Sequence, residues 1–155
     1  MINIIVAVAQ NGVIGNKGKL PWNLKLDMAR FKKLTMGNVV IFGKNTFQEI
    51  RQPLIGRENI VLSTYLQNID GAKVFDNLEK AIEYAKTSGK EIFICGGESV
   101  YKEAINFADR LYITHIHSNF DGDRHFPAIP KEYECVSSQD IQDTGVSTTF
   151  CVYKR

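Results

Sequence analysis

The segment Glu91-Ile92-Phe93-Ile94-Cys95-Gly96-Gly97-Glu98-Ser99-Val100-Tyr101 contains the local pattern that indicates the fold. Residues 91–95 form a short, mainly apolar run that predicts a strand, and two glycines end it. Apolar residues then recur at helical spacing, and the expected inner face of this helix consists of Val100, Tyr101, Ala104 and Phe107. A strand that passes through glycines into a helix is the repeating unit of an α/β sheet.

The same alternation extends along the chain in both directions. Residues 2–9 are a near-continuous aliphatic run, typical of a strand buried on both faces of a parallel sheet. Further strands are predicted at 39–42, 59–62, 73–75, 111–117, 134–138 and 148–153, and the last two are close enough to pair antiparallel. Helices are predicted at 24–35, at 47–50, from a capping box of Asp76 and Glu79 to Gly89, and after Gly97.

These patterns predict an α/β fold in one domain over residues 1–155. We expect a central, mostly parallel eight-stranded sheet with an antiparallel C-terminal edge strand, flanked by about four helices.

The composition excludes several classes of protein. With 155 residues, 44% of them hydrophobic and 23% charged, the chain can bury a core and is not disordered. A net charge of +2 argues against nucleic-acid binding, and no apolar run approaches the roughly 20 residues of a membrane helix. The three cysteines lack CxxC spacing and the N-terminus lacks a signal-peptide pattern, so we expect a cytoplasmic protein with free thiols.

The segment from Leu20 to Phe31 places one carboxylate in an apolar stripe. Pro21 and Trp22 stiffen the chain before a helix, and a helical wheel puts Asp27 on the face formed by Leu24, Met28, Phe31 and Thr35. A carboxylate in such a pocket can bind an amide-like heterocycle or direct a proton. Alternatively, Asp27 lies at the edge of the stripe, reaches water or pairs with a lysine. The preceding glycine-rich residues 10–23 are predicted to form a long, mobile, functional loop.

Three segments rich in small or hydroxyl residues follow predicted strands at 43–46, 63–64 and 96–99. Ligands of α/β sheets bind at the carboxyl ends of strands, so together these segments could hold a phosphorylated nucleotide, with Lys44 on a phosphate. They match neither GxGxxG nor a Walker loop, and ordinary βα turns explain any one of them. A metal site at His115 and His117 is disfavoured because no further ligand has diagnostic spacing.

Taken together, the motifs resemble those of bacterial, single-domain dihydrofolate reductases. The matching pieces occur in family order: Ile14-Gly15, Leu20-Pro21-Trp22, Asp27 with Phe31, Gly43-Lys44-Asn45-Thr46-Phe47, Pro53-Leu54, Gly56-Arg57, Gly96-Gly97, Val100-Tyr101, Leu111-Tyr112-Ile113-Thr114, Gly122-Asp123 and His125-Phe126-Pro127. The combination is specific to the family, although no single piece is.

The resemblance implies an NADPH-dependent enzyme that reduces 7,8-dihydrofolate to 5,6,7,8-tetrahydrofolate in one-carbon metabolism. Hydride would reach C6 and a proton N5. Asp27 would bind the pterin edge, with Thr114 supporting it, Trp22 holding a water and the loop around Leu20 closing over the nicotinamide. We expect a monomer that binds antifolate inhibitors. We expect it to bind no nucleic acid, no membrane and no metal.

The resemblance also implies the binding residues. Those for folate would be Ile5, Ala7, Met28, Phe31, Ile50, Leu54 and Arg57, the last pairing with the glutamate tail. Those for NADPH would be Ala7, Ile14, Gly15, Asn16, Gly43, Lys44, Asn45, Thr46, Leu62, Ser63, Thr64, Cys95, Gly96, Gly97, Glu98, Ser99, Val100 and Tyr101. The family joins the two glycines by a cis peptide bond.

Some positions depart from the commonest family pattern. Lys44 replaces a frequent arginine and Ser99 a frequent cation, which predicts a weaker preference for NADPH over NADH. Gln52 replaces a cation found in some relatives, so Arg57 would bind the carboxylate of the glutamate tail alone. Cys95 replaces a common aliphatic residue. Two alternatives stay open: a reductase of another pterin or pyrimidine, for which Arg57 would be pointless, and a folate- or nucleotide-binding protein without turnover.

Overall fold

The computed structural model describes residues 1–65 and 68–155, and their central feature is an eight-stranded sheet. The strands are β1 Ile2–Ala9, β2 Val13–Gly15, β3 Val39–Gly43, β4 Glu58–Leu62, β5 Ala72–Phe75, β6 Ile92–Ile94, β7 Arg110–Ile116, β8 Arg124–His125, β9 Glu134–Asp143 and β10 Val146–Lys154. The helices are α1 Lys25–Thr35, α2 Lys44–Ile50, α3 Leu78–Lys86 and α4 Glu98–Ala104.

The strand order is β5-β4-β3-β6-β1-β7-β10-β9. The pairs from β5 to β7 are parallel, whereas β10 runs antiparallel to both β7 and β9. This architecture confirms the predicted fold class, including its antiparallel C-terminal edge. Since the carboxyl ends of β3, β4 and β6 lie at one edge, the segments 43–46, 63–64 and 96–99 meet there.

The core follows from the aliphatic strands and one amphipathic helix. Ile4, Ile41 and Ile94 on neighbouring central strands have no exposed surface. Helix α3 buries Leu78, Ala81, Ile82 and Ala85, which have the predicted i, i+3, i+4, i+7 spacing. Within the described residues, no helix is long and apolar enough to span a membrane.

Two helix ends differ from prediction. Asn77, and not Asp76, caps α3, because its side-chain oxygen accepts a hydrogen bond from the Lys80 N–H at 2.9 Å. Asp76 instead pairs with the Lys80 ammonium at 3.2 Å. Helix α4 ends at Ala104, so Phe107 lies beyond it and is 40% exposed, while Ile105 takes the buried place.

Residues 10–23, which were predicted to form a long mobile loop, contain some regular structure. Strand β2 lies within them and pairs with β8, and a short bridge joins Asn16 to Lys19. Gly122 makes this close approach possible, since a Cβ there would lie 2.3 Å from a methyl carbon of Val13. Helix α2 also begins earlier than predicted, at Lys44.

Candidate active site

A cavity of about 1090 Å³ lies at the carboxyl edge of the sheet, between α1, α2 and α4. This volume exceeds that of most single-ligand pockets, so it suits two ligands side by side. It brings together all but two of the predicted site residues. Thr114 lies behind Asp27, and Asn16 is tied to Lys19 by two backbone hydrogen bonds away from the cavity lining.

Asp27 stands on the first turn of α1 with its carboxylate facing the cavity. Its side chain is 22% exposed. One carboxylate oxygen, Oδ1, accepts a hydrogen bond from the Thr114 hydroxyl at 2.5 Å and another from Arg30 at 3.2 Å. Burial raises the pKa of Asp27, while the Thr114 hydrogen bond and the Arg30 charge oppose that rise and the Asp143 charge adds to it. Asp27 is therefore both a cavity carboxylate and an ion-paired one, with an arginine and not a lysine as partner.

The apolar stripe of α1 faces the cavity more than the core. Thr35 is the buried member within the helix, and Met28 is 59% exposed at the cavity wall. Met28 therefore lies in the cavity lining, where the predicted substrate-binding residues were expected. The cleft beside the helix accounts for this exposure, because exposed apolar surface in a cleft is typical of a ligand-binding site.

The N-terminus of α1 is held by a carboxylate from the other end of the chain. Leu24 at the N-cap offers no side-chain hydrogen bond. Instead, Asp143 accepts from the backbone N–H groups of Leu26 at 3.0 Å and Asp27 at 2.8 Å. Burial raises the pKa of Asp143, but these hydrogen bonds, that of Thr144 and the charge of Arg30 outweigh it, so the pKa is lowered. Asp143 thus fixes the turn that carries Asp27.

Trp22 and Leu20 line the cavity from the segment that precedes α1. The Trp22 ring packs edge-on against Phe120 at 5.3 Å between centroids, which fixes its position. Leu20 is 58% exposed. Both side chains therefore stand where a bound ligand would be shielded from water.

Arg57 also lines the cavity. Its Nε donates to the Ile55 carbonyl at 3.0 Å and its Nη1 to the Thr35 hydroxyl at 3.2 Å. Burial lowers the pKa of the guanidinium. Among the described residues Arg57 has no ion-pair partner, so its charge is available to an acidic ligand.

Three glycines, Gly43, Gly96 and Gly97, line another part of the cavity. Gly96 and Gly97 are joined by a cis peptide bond, as the resemblance implied. A Cβ on Gly97 would lie 2.8 Å from the Thr46 hydroxyl, and one on Gly43 would lie 3.2 Å from Val100. Helices α2 and α4 begin directly after Gly43 and Gly97, and neither has a side-chain cap. Their N–H groups therefore face a space that suits a pyrophosphate, and the residues fit the nucleotide cofactor.

Lys44 marks the expected phosphate end of the cavity. Its ammonium lies 4.9 Å from the centre of the Tyr65 ring. Ser63 is nearly buried and its hydroxyl accepts from the Tyr65 N–H at 3.1 Å, whereas Thr64 is exposed. Asp76 also lines the cavity. Glu98 accepts a hydrogen bond from the His125 N–H at 3.1 Å, which joins α4 to β8.

His115 of β7 and His117, just after it, have ordinary partners across the sheet. His115 Nε2 lies 2.8 Å from the Tyr153 hydroxyl, and His117 Nε2 lies 2.7 Å from the Thr149 hydroxyl. Burial lowers the pKa of His115. The residues that the structure describes contain no cluster of three or more potential metal ligands.

Sequence reasoning missed several residues of this site, most importantly Arg30 and Asp143. The i, i+3 spacing of Asp27 and Arg30 is a usable signal for their ion pair. No local signal places Asp143 at the start of α1, since 116 residues separate it from Asp27. Other cavity residues not predicted are Val6, Gly18, Lys19, Ala29, Lys32, Phe42, Glu49, Tyr65, Asp76, Asn77, Leu78, Glu103 and Arg124.

The family model for dihydrofolate reductase matches residues 1–155. The chain belongs to the dihydrofolate reductase family. The predicted resemblance is thereby confirmed, and so is the prediction of an NADPH-dependent oxidoreductase that reduces dihydrofolate.

Relatives from several bacteria agree with this membership. The chain is 39% identical to dihydrofolate reductase of Bacillus subtilis over 90% of its own length and 83% of that protein. It is 41% identical to dihydrofolate reductase type 3 of Salmonella typhimurium, over 82% and 78% of the two chains. The solved structure of dihydrofolate reductase from Enterococcus faecalis, complexed with NADP(H) and RAB-propyl, has a TM-score of 0.94 and 35% identity, covering 100% of this chain and 96% of the other.

Proposed function

We propose that the cavity binds dihydrofolate beside α1 and NADPH along the carboxyl ends of β3 and β6, and that Asp27 directs the proton to N5. The observation that carries the proposal is the Asp27–Thr114 pair. In this pair, the partly buried Asp27 carboxylate lies in the cavity wall and accepts a hydrogen bond from the Thr114 hydroxyl at 2.5 Å. The shielded charge can attract the polar edge of a pterin.

The two oxygens of Asp27 have different environments. Thr114 and Arg30 both approach Oδ1. Within the described part of the chain, Oδ2 receives no hydrogen bond, so it is open to the amino and amide N–H groups of the pterin. Binding substrate would then satisfy a carboxylate whose burial is otherwise costly.

The bound cofactor supplies the hydride that reaches C6. The chain provides the position and the electrostatics: Asp27 favours proton uptake at the neighbouring N5, while Trp22 and Leu20 limit water near the reacting atoms. Met28, Phe31, Ile50 and Leu54 present apolar surface to the rest of the substrate.

The glutamate tail of the substrate is proposed to bind Arg57. Two hydrogen bonds, to Ile55 and Thr35, hold the guanidinium in place. A planar guanidinium matches a carboxylate through two parallel hydrogen bonds.

The cofactor residues are proposed from the same cavity. Thr46, Gly96 and Gly97 would contact the pyrophosphate, where side-chain bulk is absent. Lys44, Ser63, Thr64 and Ser99 would bear on the 2′-phosphate. We also propose a single-domain monomer of the cytoplasm; the cysteines Cys95, Cys135 and Cys151, all free thiols, support a reducing compartment.

The test follows the loss of NADPH absorbance when the purified protein meets dihydrofolate. We expect turnover in the parent protein and its loss in Asp27→Asn, while Asp140→Asn, a carboxylate on exposed β9, serves as matched control. Turnover that survives in Asp27→Asn at neutral pH would contradict the role of Asp27.

A second arm tests the tail contact. Arg57→Gln should raise KM for dihydrofolate by roughly ten- to a hundred-fold, the equivalent of a charge-assisted hydrogen bond of about 1.5–3 kcal/mol. For a dihydropterin that lacks the glutamate tail, the KM should be the same in Arg57→Gln and in the parent protein. An equal rise in KM for both substrates would contradict the proposed contact between Arg57 and the glutamate tail.

A further inference from the structure

Arg30 lies against the carboxylate proposed to direct the proton. It follows Asp27 by three residues on α1, and its Nη1 is 3.2 Å from Asp27 Oδ1 and 3.3 Å from the Thr114 hydroxyl. The centre of its guanidinium lies 4.1 Å from the centre of the Phe150 ring. The side chain is 20% exposed. Arg30 is therefore held by α1, β7 and β10 together.

This arrangement differs from an ordinary surface ion pair. Surface pairs contribute little because both side chains are mobile and water screens them. The Arg30 guanidinium is fixed from two sides, by hydrogen bonds in its plane and by an aromatic ring against its face. An arginine can satisfy both sides at once, whereas a lysine offers a point charge.

We propose that Arg30 is a positioning residue of the reaction: it fixes Asp27 Oδ1 against Thr114, leaves Oδ2 for the substrate, and sets the pH range in which the enzyme turns over. This inference rests on the proposed role of Asp27. It adds a determinant that lies on the protein side of the carboxylate, away from the substrate.

The groups that act on the pKa of Asp27 come from three elements: helix α1 supplies Arg30, β7 supplies Thr114 and β9 supplies Asp143. The charge of Asp27 in turn acts on the buried Tyr101 of α4. Burial raises the pKa of Asp27 and Asp143 adds to that rise, whereas Thr114 and Arg30 lower it. The pKa of Tyr101 is raised well above its usual value, chiefly by burial and also by the charge of Asp27, so its phenol stays neutral. Among the described groups that act on the pKa of Asp27, Arg30 is the one cation.

The sign of the effect follows from the chemistry. The reaction consumes a proton at N5, so its rate falls as the pH rises through an apparent pKa that belongs to Asp27 and substrate together. A nearby cation opposes proton uptake. Removing the charge of Arg30 should therefore raise this apparent pKa. The pH at which the rate begins to fall should move to a higher value.

The experiment compares Arg30→Met, which keeps apolar contact with Phe150, with the charge-conserving Arg30→Lys. Arg155→Met is the matched control, because Arg155 also stacks on a ring, Tyr133 at 4.8 Å, and lies outside the cavity. Two quantities are measured: the pH dependence of hydride transfer in a single turnover, and the pKa of Asp27 in the free protein by carboxyl ¹³C NMR.

We expect both midpoints to rise in Arg30→Met, to rise less in Arg30→Lys, and to stay unchanged in Arg155→Met. Above the parental midpoint, the ratio of the rate to its acidic plateau should be several-fold larger in Arg30→Met than in the parent. A uniform loss of rate with unmoved midpoints would overturn the proposal, since it would assign Arg30 a purely structural role.

The failure of this inference is distinguishable from failure of the role of Asp27. An NMR midpoint that rises while the rate profile stays fixed would overturn the inference, because Arg30 would then tune a carboxylate that does not control the rate. Asp27→Asn decides the other question: full turnover in that variant shows that the assignment of Asp27 itself has failed.

Discussion

At the scale of single residues, the site contains charges whose burial is costly without a ligand. Burial raises the pKa of Asp27 and lowers that of Arg57, so in each case the charged form is disfavoured. Both side chains face the cavity. An acidic and a basic group at separate places in one apolar cleft match a substrate that has a polar heterocycle and an acidic tail.

Asp27→Asn should increase the free energy of unfolding at neutral pH. Because the folded-state pKa of Asp27 is raised, its ionised form costs stability above that pKa. The cost declines as the pH falls toward the unfolded-state value, about 3.9, and is absent below it. Urea unfolding at several pH values would measure this: the gain should be largest near pH 7 and should shrink on acidification. A variant less stable than the parent at pH 7 would contradict the raised pKa.

Lys44→Ala should reduce the preference for NADPH over NADH. Loss of one charge-assisted contact of about 1.5–3 kcal/mol corresponds to a roughly ten- to a hundred-fold loss in kcat/KM with NADPH. NADH lacks the 2′-phosphate and should be little affected. Lys73→Ala is the matched control, since Lys73 also lies over a ring, Tyr84 at 5.2 Å, but outside the cavity. Equal losses with both cofactors would place Lys44 elsewhere in the site.

At the scale of elements, the C-terminal hairpin and α1 act as one unit. Asp143, at the end of β9, closes the N-terminus of a helix whose own N-cap residue, Leu24, cannot do so. Phe150 on β10 supports Arg30 from the same side. The hairpin therefore orients the turn that carries Asp27, although it forms the far edge of the sheet.

Asp143→Ala should lower stability and activity together. Losing a helix cap costs about 0.5–2 kcal/mol, and the exposed N–H groups of α1 would no longer fix Asp27. Thermal unfolding and steady-state turnover would measure both effects, with Asp140→Ala on the same strand as control. A loss of stability without any change in KM or kcat would separate the hairpin from the site.

The stability contributed by Asp143 should also depend on pH. Its folded-state pKa is lowered, so the contribution is complete above the unfolded-state value, about 3.9, and is lost as the pH falls through the folded-state pKa. The difference in free energy of unfolding between the parent and Asp143→Ala should therefore shrink on acidification. A difference that stays constant from pH 7 to pH 3 would contradict this assignment.

At the scale of the whole molecule, local patterns predicted the elements and missed the contacts between distant parts. Buried strands such as Ile2–Ala9 and the spacing of α3 are visible in the sequence because each is a property of consecutive residues. The cap formed by Asp143 and the stacking of Arg30 on Phe150 depend on residues more than 100 positions apart. Nothing in the local sequence encodes which of these will meet.

Smaller errors have similar physical causes. Asp76 and Asn77 are both good caps, and burial of Leu78 as the first helical residue favours Asn77. Phe107 fits the helical spacing of α4, but the helix ends three residues earlier. Tertiary context decides each of these cases.

The most direct test of the central claim is the pH dependence of hydride transfer to dihydrofolate in Asp27→Asn. If Asp27 promotes protonation at N5, its loss should slow the step at neutral pH by about 10²- to 10⁴-fold, the usual contribution of acid–base catalysis. The rate should recover as the pH falls, because substrate protonated in solution no longer needs the carboxylate. A rate and a pH profile equal to those of the parent would contradict the account.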